Sequence, residues 1–284
     1  MEVVVGGGSG FVGQALVASL ERDGHHVTVV SRKARDGGTT WDDVAAAVDG
    51  ADAVVNLAGA SIGKPRWTGS RKRALRVSRV ETTRKLADAI AVAERRPHVF
   101  VTASGIDYYG DTGEKAVDES SPPGSTFLAR LCAEWEGAAA HAPVRHVAVR
   151  TAFVVGRDAP ALQLLTLPFR FLAGGPLGNG GQWFPWIHVD DLVRVYRRAL
   201  EDETLDGPVN AVAPQQLRQR EVARQVGEVL HRPSLLPTPA VALRVALGEQ
   251  ADLLLHGQRA VSTKLAAADF AYPELKPALV QALV

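Results

Sequence analysis

Short, continuously apolar segments alternate with longer amphipathic stretches along the first half of the chain. Apolar segments of this length, rich in valine, predict buried β-strands, at residues 2–5, 26–31, 53–57, 99–103 and 146–151. The amphipathic stretches predict helices, at residues 11–22, 70–94 and 126–140. Because these strands lack polar alternation and are separated by helices, they favour a parallel sheet with helices on both faces. The predicted fold class is α/β, a doubly wound Rossmann sheet with right-handed crossovers.

The alternation of strands and helices changes after about residue 156. Residues 174–186 are rich in Gly, Pro and Trp and are too many for a simple turn. Beyond them we expect a helix at 190–201, a strand at 209–211, a helix at 219–230 and a mostly helical tail. We predict a Rossmann domain of residues 1–160, completed by about 186–213. Residues 161–185 and 214–284 would form a small, mostly helical C-terminal substrate lobe over the carboxyl edge of the sheet, where such sheets bind ligands.

Composition and charge exclude several classes of function. The net charge is +1, so the chain lacks the concentrated basic face that nucleic-acid phosphates require. Cys132 is the single cysteine, which excludes an intrachain disulfide and a thiolate zinc cluster. No segment approaches the ~18 apolar residues of a membrane span, and signal-peptide features are lacking. We therefore predict a cytoplasmic protein with a small-molecule substrate and no nucleic-acid or membrane partner. A homodimer is left open.

A glycine-rich loop joins the first predicted strand to the first predicted helix. Gly7, Gly10 and Gly13 have the spacing G-x-x-G-x-x-G. The first glycine permits a tight turn, the second lets the backbone approach a pyrophosphate, and the third lets helix and strand pack closely. The phosphates would lie at the helix N-terminus, at Phe11 and Val12, where free N–H groups and the helix dipole favour an anion. This context predicts a dinucleotide site.

The end of the second predicted strand indicates which dinucleotide is bound. NAD-preferring sites usually carry an acidic residue there to hold the ribose hydroxyls. This chain has Ser31, Arg32 and Lys33 instead, and a guanidinium can pair with a 2′-phosphate through two hydrogen bonds. The prediction is therefore NADP(H). An alternative remains, in which Arg32 is an ordinary surface cation and the nearby Asp36 acts on the ribose.

Several further motifs carry a resemblance to a known family. They are Asn56-Leu57-Ala58-Gly59, Tyr108-Tyr109-Gly110 and His188-Val189-Asp190-Asp191. With the glycine loop, they make the chain resemble the extended short-chain dehydrogenase/reductases. Within these it is similar to an atypical branch called the epimerase family, also described as cell-division-inhibitor-like nucleotide-sugar epimerases. The features typical of that branch are Arg66-Trp67, Ser78-Arg79 with Thr82-Thr83, Gly174-Gly175-Pro176-Leu177-Gly178, Phe184-Pro185-Trp186-Ile187-His188 and Gly257-Gln258-Arg259.

The resemblance implies NADP(H) binding, a small C-terminal lobe and several contacts with the cofactor. It places Ala58 and Gly59 against the adenosine side and points Arg79 back toward the cofactor. It also implies that Phe153 or Val154 contacts the nicotinamide half through its backbone. The activity of the family is poorly defined, so the word epimerase is a label more than a reaction.

The usual catalytic pair of these enzymes is missing. Conventional members use Tyr-x-x-x-Lys on the helix after the fifth strand, where the lysine and the cofactor let the tyrosine exchange a proton. The corresponding positions here are Phe127 and Leu131, and neither side chain transfers protons. A second match to the pattern, Tyr272 to Lys276, lies in the predicted C-terminal lobe and carries a proline, so we interpret it as structural.

The loop after the predicted strand 99–103 supplies the remaining candidates for catalysis. Ser104 occupies the position of the family's substrate-orienting hydroxyl, and Tyr108 could face the cleft, whereas Tyr109 is expected to pack. The sequence offers no lysine spaced to assist Tyr108. His188 is interpreted as a hydrogen-bonded structural residue.

Downstream aromatic side chains are candidates for the wall of a hydrophobic cleft, with ordinary packing as the alternative. They are Trp183, Phe184 and Trp186. The leading hypothesis is an NADPH-dependent reductase or epimerase acting on a small carbonyl or sugar-like compound. Its rival is a non-catalytic NADPH-binding sensor or scaffold.

Overall fold

A computed structural model describes residues 1–33, 38–63 and 66–284. Within this part of the chain, seven parallel strands form the central sheet, in the order β10-β7-β5-β4-β1-β2-β3. Two two-stranded sheets pair β8 with β9 and β6 with β11. The strands are β1 (Glu2–Gly6), β2 (His26–Ser31), β3 (Thr39–Thr40), β4 (Ala53–Asn56), β5 (Val99–Gly105), β6 (Ala116–Val117), β7 (Arg145–Thr151), β8 (Phe153–Val155), β9 (Trp186–His188), β10 (Gly207–Ala211) and β11 (Arg259–Ala260).

Helices cover both faces of the central sheet. They are α1 (Phe11–Arg22), α2 (Val44–Val48), α3 (Gly69–Arg76), α4 (Thr82–Val92), α5 (Phe127–Ala139), α6 (Pro160–Arg170), α7 (Val189–Glu201), α8 (Gln219–Leu230), α9 (Ala240–Leu247), α10 (Asp252–Leu255) and α11 (Leu275–Leu283). A π-turn, Val77–Glu81, joins α3 to α4, and a 3₁₀ turn, Ile106–Tyr109, follows β5.

Two apolar layers enclose the sheet. On one face Leu16 of α1 and Tyr196 of α7 pack on the strands. On the other, Leu86 and Ile90 of α4 pack on them, together with α2 and the end of α5. Because the strands are buried on both faces, they read as unbroken apolar segments in the sequence. The predicted α/β fold of Rossmann type is confirmed.

The strand order reverses between β1 and β4. From β1 the chain adds β2 and β3 on one side, whereas β4, β5, β7 and β10 extend the sheet on the other. Ligands of doubly wound sheets bind at the carboxyl ends of the strands at such a switch point. This edge is therefore where a functional site is expected.

A separate apolar cluster joins the later helices. Leu162 of α6, Val226 of α8 and Leu279 of α11 pack around Trp186 of β9. The sequence did not reveal α6, which begins at Pro160 and contains Pro168, since two prolines weaken a helical pattern. The tail was predicted mostly helical. It contains α9, α10 and α11, but also β11, which pairs with the distant β6.

The predicted helix at residues 70–94 is divided in the structure. It consists of α3, the π-turn and α4. The sequence predicted a single helix because the apolar spacing that marks a helix continues through the π-turn. None of the helices in the described ranges is both long and apolar enough to cross a membrane.

Candidate functional site

The glycine loop lies at the carboxyl end of β1, beside the switch point. Gly7 has a φ of +78°, and a Cβ atom placed on it would lie 2.7 Å from the backbone nitrogen of Ala58. A Cβ atom on Gly13 would lie 2.4 Å from the carbonyl oxygen of Gly7. Both positions therefore require glycine, because the backbone approaches too closely for a side chain.

Gly10 differs from the other two glycines because the space around it is open. The nearest atom to a Cβ placed there is the carbonyl oxygen of Gly7, at 3.4 Å. Gly10 is the N-cap of α1, and no side chain caps this helix. The first N–H groups of a helix, at Phe11 and Val12 here, have no intrahelical acceptor and favour an anion. The loop fits a pyrophosphate, and its contacts with a cofactor, including those at Gly13, stay predictions.

The end of β2 carries the residues predicted to select the cofactor. Ser31 is half-buried, and its hydroxyl donates to the carbonyl oxygen of Lys33 at 2.5 Å. Arg32 is exposed, so its guanidinium is accessible to a phosphate on the neighbouring ribose. Asp36, the alternative ribose partner, lies outside the described residues. The roles of Ser31 and Arg32 stay predictions.

A buried amide fixes the turn that follows β4. Oδ1 of Asn56 accepts a hydrogen bond from the N–H of Ala58 at 3.0 Å, and Nδ2 donates to Oγ1 of Thr83 at 2.8 Å. Nε1 of Trp135 donates to the same Thr83 oxygen at 2.9 Å. Ala58 and Gly59 therefore follow β4 on a turn whose start is held from α4 and α5.

The π-turn positions Arg79 at this edge. Oγ of Ser78 accepts from the N–H of Ala60 at 2.9 Å, and Nη1 of Arg79 donates to the carbonyl oxygen of Ala60 at 3.0 Å. Two consecutive side chains thus hold one loop residue, and π-turns are frequent at functional sites. A Cβ atom on Gly59 would lie 3.1 Å from the Arg79 guanidinium carbon. Burial lowers the pKa of Arg79.

Ser104 lies at the predicted strand end but does not face an open cleft. It is buried, and its hydroxyl donates to Oε1 of Glu136 at 2.6 Å. Arg150 holds the same carboxylate through Nε and Nη2, at 2.9 and 2.8 Å. Burial alone would lower the pKa of Arg150, but its hydrogen bonds with Glu136 raise it, so Arg150 stays charged at neutral pH. Sequence reasoning missed Glu136 and Arg150, since 32 residues separate Ser104 from Glu136.

The two tyrosines after β5 occupy different environments. Tyr109 is buried, accepts from Nη1 of Arg150 at 2.8 Å and donates to Oδ1 of Asn210 at 2.8 Å. Burial raises the pKa of Tyr109 to about 12, so it stays a packed phenol, as predicted. Tyr108 is half-buried, and the guanidinium of Arg150 lies 3.5 Å from its ring centre. The sequence offered no lysine for Tyr108, and in the structure the arginine beside it contacts the face of the ring. Its catalytic role stays a prediction.

Asp107 lies in the same 3₁₀ turn and is half-buried. A Cβ atom placed on Gly105 would lie 3.7 Å from Oδ2 of Asp107 and 3.6 Å from Sγ of Cys132. Burial raises the pKa of Asp107 to about 6, opposed in part by a backbone hydrogen bond and by the charge of Arg79. Burial also raises the pKa of the Cys132 thiol to about 12. Asp107 is therefore a carboxyl that titrates close to neutral pH.

The positions of the missing tyrosine–lysine pair hold packing residues. The ring of Phe127 meets that of Trp67 edge-on, with 5.6 Å between the ring centres. Leu131 is buried in the same apolar cluster. Neither side chain offers a proton to a ligand.

The second match to that pattern is structural, as predicted. The ring of Tyr272 lies 4.0 Å from that of His188, and Nζ of Lys276 lies 2.8 Å from Glu228. His188 is fully buried and shares a hydrogen bond with Gln281 at 2.9 Å. These residues attach α11 to the sheet.

The predicted aromatic wall is only partly available to a ligand. Trp186 is fully buried, so its assignment to the wall was wrong and the packing alternative holds for it. Phe184 is half-buried and packs on Phe153, with 4.8 Å between the ring centres. Val154, the other residue expected near the nicotinamide, is half-buried and packs on the main core. The contacts of Phe153 and Val154 with a cofactor stay predictions.

Comparison with known proteins identifies the family. Residues 3–211 match the model of the NAD dependent epimerase/dehydratase family, and residues 238–282 match a domain of unknown function. The chain belongs to the NAD dependent epimerase/dehydratase family. The resemblance seen in the sequence is thereby confirmed.

Relatives of this family are similar to the chain along nearly its whole length. The human epimerase family protein SDR39U1 is 41% identical over 98% of this chain and 98% of its own length. Its Arabidopsis thaliana homologue, described as chloroplastic, is 40% identical over 98% of this chain and 86% of the relative.

Solved structures of similar proteins agree with the fold described above. The human SDR39U1 structure with NADPH has a TM-score of 0.93 at 40% identity, covering 99% of this chain and 98% of that one. A nucleoside-diphosphate sugar epimerase from Corynebacterium glutamicum has a TM-score of 0.80 at 31% identity, over 100% of this chain and 58% of that one. A UDP-N-acetylglucosamine 4-epimerase from Bacillus cereus shares the fold, with a TM-score of 0.77 at 19% identity.

Proposed function

We propose that this chain is an NADP(H)-binding oxidoreductase or epimerase of the atypical extended short-chain dehydrogenase type. Its substrate would be a small carbonyl or sugar-like compound, handled without the usual tyrosine–lysine pair. The observation that carries the proposal is the open glycine loop at the switch point, where the uncapped α1 leaves room for a pyrophosphate at Gly10. The human relative crystallised with NADPH supports the same cofactor here.

The residues of the chain divide the work of holding the cofactor. The first-turn N–H groups of α1 would bind the pyrophosphate, and the exposed Arg32 would pair with the 2′-phosphate. Ala58 and Gly59 would leave room for the adenosine half. When bound, the cofactor supplies hydride exchange with a substrate carbon.

Enzymatic activity is tested by following the nicotinamide absorbance across a panel of carbonyl and sugar-like compounds. Turnover by the wild type that disappears in Gly10→Val would support the proposal. Ser104→Ala and Tyr108→Phe then test the two predicted catalytic residues, each expected to lower kcat by about a hundredfold if it acts in proton transfer or substrate orientation. Because Ser104 is bonded to Glu136, loss of folded protein is checked in parallel.

A second candidate function is a non-catalytic NADPH-binding sensor or scaffold. Phe127 and Leu131 at the catalytic positions favour it, as does the burial of the Ser104 hydroxyl. Tight NADPH binding without turnover of any compound in the panel would support this alternative.

We propose a cytoplasmic location, as expected from the composition of the chain. One relative, from Arabidopsis thaliana, is described as chloroplastic, so a different compartment is one outcome of the test. Fractionation of the native cells, with detection of this chain, tests the location.

A further inference from the structure

Three carboxylates lie near the carboxyl edge of the sheet around β5, and two of them already accept hydrogen bonds on both oxygens. Glu136 accepts hydrogen bonds from Ser104 and from Nε and Nη2 of Arg150. Glu119 is buried and accepts four hydrogen bonds, from Asn210, Ser262 and Thr263. Every oxygen of these two carboxylates already accepts a hydrogen bond within the protein.

Asp107 differs from these two carboxylates. Within the described ranges, its carboxylate receives a hydrogen bond only from its own backbone. The residue as a whole is half-buried, whereas its carboxyl is desolvated enough for burial to raise its pKa to about 6. Burying a carboxyl without side-chain partners costs stability, and groups of this kind are concentrated at functional sites.

Asp107 also lies on the side of the site where the cofactor is expected. Its strand, β5, pairs with β4, and β4 pairs with β1 and its glycine loop. Arg79, whose positive charge acts on Asp107, lies against Gly59 on the turn after β4. On the side of α5, a Cβ atom on Gly105 would lie close to both Asp107 and Sγ of Cys132. Cys132 follows Leu131, which occupies the position of the family's lysine. Asp107 therefore lies between the turn after β4 and the helix that has lost the usual proton donor.

We propose that Asp107 exchanges the proton with the substrate, beside the nicotinamide end of the cofactor, in place of the absent tyrosine–lysine pair. This inference rests on the proposed function. It makes Asp107 a catalytic residue, with Arg79 as the positioning residue that holds a positive charge near it.

The proton transfer balances in both directions. For reduction of a carbonyl, the O–H bond of Asp107 breaks and a new O–H bond forms on the substrate oxygen, while the electron pair stays on the carboxylate. NADPH supplies the hydride to the carbonyl carbon and is oxidised to NADP⁺. In the reverse direction the Asp107 carboxylate removes the hydroxyl proton as NADP⁺ accepts the hydride. A carboxyl with a pKa of about 6 populates both forms near neutral pH.

The groups that face Asp107 leave it as the titrating residue of this cluster. Arg79 of the π-turn stays charged, although burial lowers its pKa. Cys132 of α5 stays a thiol, because burial raises its pKa to about 12. Glu136 of α5 is ion-paired with Arg150. A pH effect between about 5 and 7.5 that depends on residue 107 is therefore assigned to its carboxyl.

The test compares the affinities of NADP⁺ and NADPH by calorimetry between about pH 5 and pH 7.5. An ionised Asp107 close to the positive nicotinamide ring favours NADP⁺, and a neutral one does not. We expect the wild type to change its preference toward NADP⁺ by about threefold or more over this range. The ratio of the two affinities cancels the titration of the 2′-phosphate, which both cofactors carry.

Asp107→Asn should show a ratio that does not change with pH, and Asp107→Ser serves if the asparagine variant does not fold. Asp111→Asn, an exposed aspartate on the next turn, is the matched control and should keep the wild-type response. A pH-dependent ratio that persists in Asp107→Asn would overturn the inference alone, as would a flat ratio in the wild type. Failure of the wild type to bind either cofactor would overturn the proposed function and the inference together.

Discussion

Gly10 and Gly13 lie three residues apart in the same loop, yet of these two positions the fold requires glycine only at residue 13. A Cβ atom on Gly13 meets the carbonyl oxygen of Gly7 at 2.4 Å, whereas the same atom on Gly10 meets it at 3.4 Å. A side chain at residue 13 would therefore overlap the backbone of the fold. A side chain at residue 10 would leave the fold intact but would fill the space above the N-terminus of α1. A substitution at residue 13 therefore tests packing, and a substitution at residue 10 tests the predicted contact with the cofactor.

Gly10→Val should therefore abolish NADPH binding while leaving the protein folded. Gly13→Val should lower the free energy of unfolding by about 1–3 kcal/mol or more, because the new side chain overlaps the backbone. Calorimetry with NADPH and urea unfolding of both variants distinguish these effects. Wild-type affinity in Gly10→Val would show that the pyrophosphate does not approach this glycine.

Arg32 offers a test of cofactor choice. Loss of a guanidinium–phosphate contact should cost roughly 1.5–3 kcal/mol, so Arg32→Ala should weaken NADPH by about tenfold or more. NADH lacks the 2′-phosphate, so its affinity should hardly change. Arg22→Ala removes an exposed arginine at the far end of α1 and serves as control. Equal losses for both cofactors in Arg32→Ala would exclude the assigned role.

At the scale of secondary-structure elements, Glu119 attaches the C-terminal part of the chain to the loop after β5. It accepts from the backbone of Asn210 at 3.0 Å, from Oγ of Ser262 at 2.6 Å and from both donors of Thr263 at 2.9 Å. Burial opposes ionisation of Glu119, but these hydrogen bonds lower its pKa below the ordinary value. The charged form is thus the one that stabilises the fold.

Glu119→Gln should lower the free energy of unfolding by about 1–3 kcal/mol near neutral pH, since an amide cannot accept all four bonds. A lowered pKa in the folded state contributes stability above the unfolded value of about 4.3, and this stability is lost as the pH falls through the folded value. The difference between variant and wild type should therefore shrink below about pH 4. Urea unfolding at both pH values measures it. Glu114→Gln, which alters an exposed ion pair with Arg218, should change the free energy of unfolding much less, because exposed ion pairs contribute little to stability.

The sequence predicted those elements whose pattern is local. The bounds of α1, β2 and α8 agree with the structure to the residue, because apolar periodicity and the glycine loop mark them. The π-turn escaped prediction, since Val80 continues the apolar spacing of a regular helix. The resemblance to the family, and not a local pattern, placed Phe127 and Leu131 at the positions of the usual pair, and the structure shows both as packing residues.

The polar contacts of the site could not be predicted in the same way. Ser104 meets Glu136 across 32 residues and Arg150 meets Tyr109 across 41. Such pairings depend on which strands become neighbours, and a single sequence does not encode that in any local pattern. Asp107 belongs to the loop after the predicted strand 99–103, but its burial near Arg79 follows only from the fold.

At the scale of the whole molecule, cofactor binding should stabilise the protein. A ligand that binds only the folded state at about 100 times its Kd adds about 2.7 kcal/mol. For a chain of this size that corresponds to a rise in Tm of about 5 °C or more. NADPH should produce this shift in a thermal scan, and Gly10→Val should abolish it. An unchanged Tm in the wild type at saturating NADPH would contradict the proposed site.

The attachment at Glu119 also constrains the order in which the protein can mature. Its partners Ser262 and Thr263 lie 143 and 144 residues further along the chain, so they leave the ribosome long after the loop that they hold. Until then the carboxylate of Glu119 lacks these partners and stays solvated, while the central sheet assembles. Contacts of such wide sequence separation form slowly. The segments that contain Glu119, Ser262 and Thr263 are therefore expected to be the last to acquire protection from hydrogen exchange. A nascent chain stalled before residue 259 is then expected to have a folded central sheet but no contacts that fix the loop around Glu119.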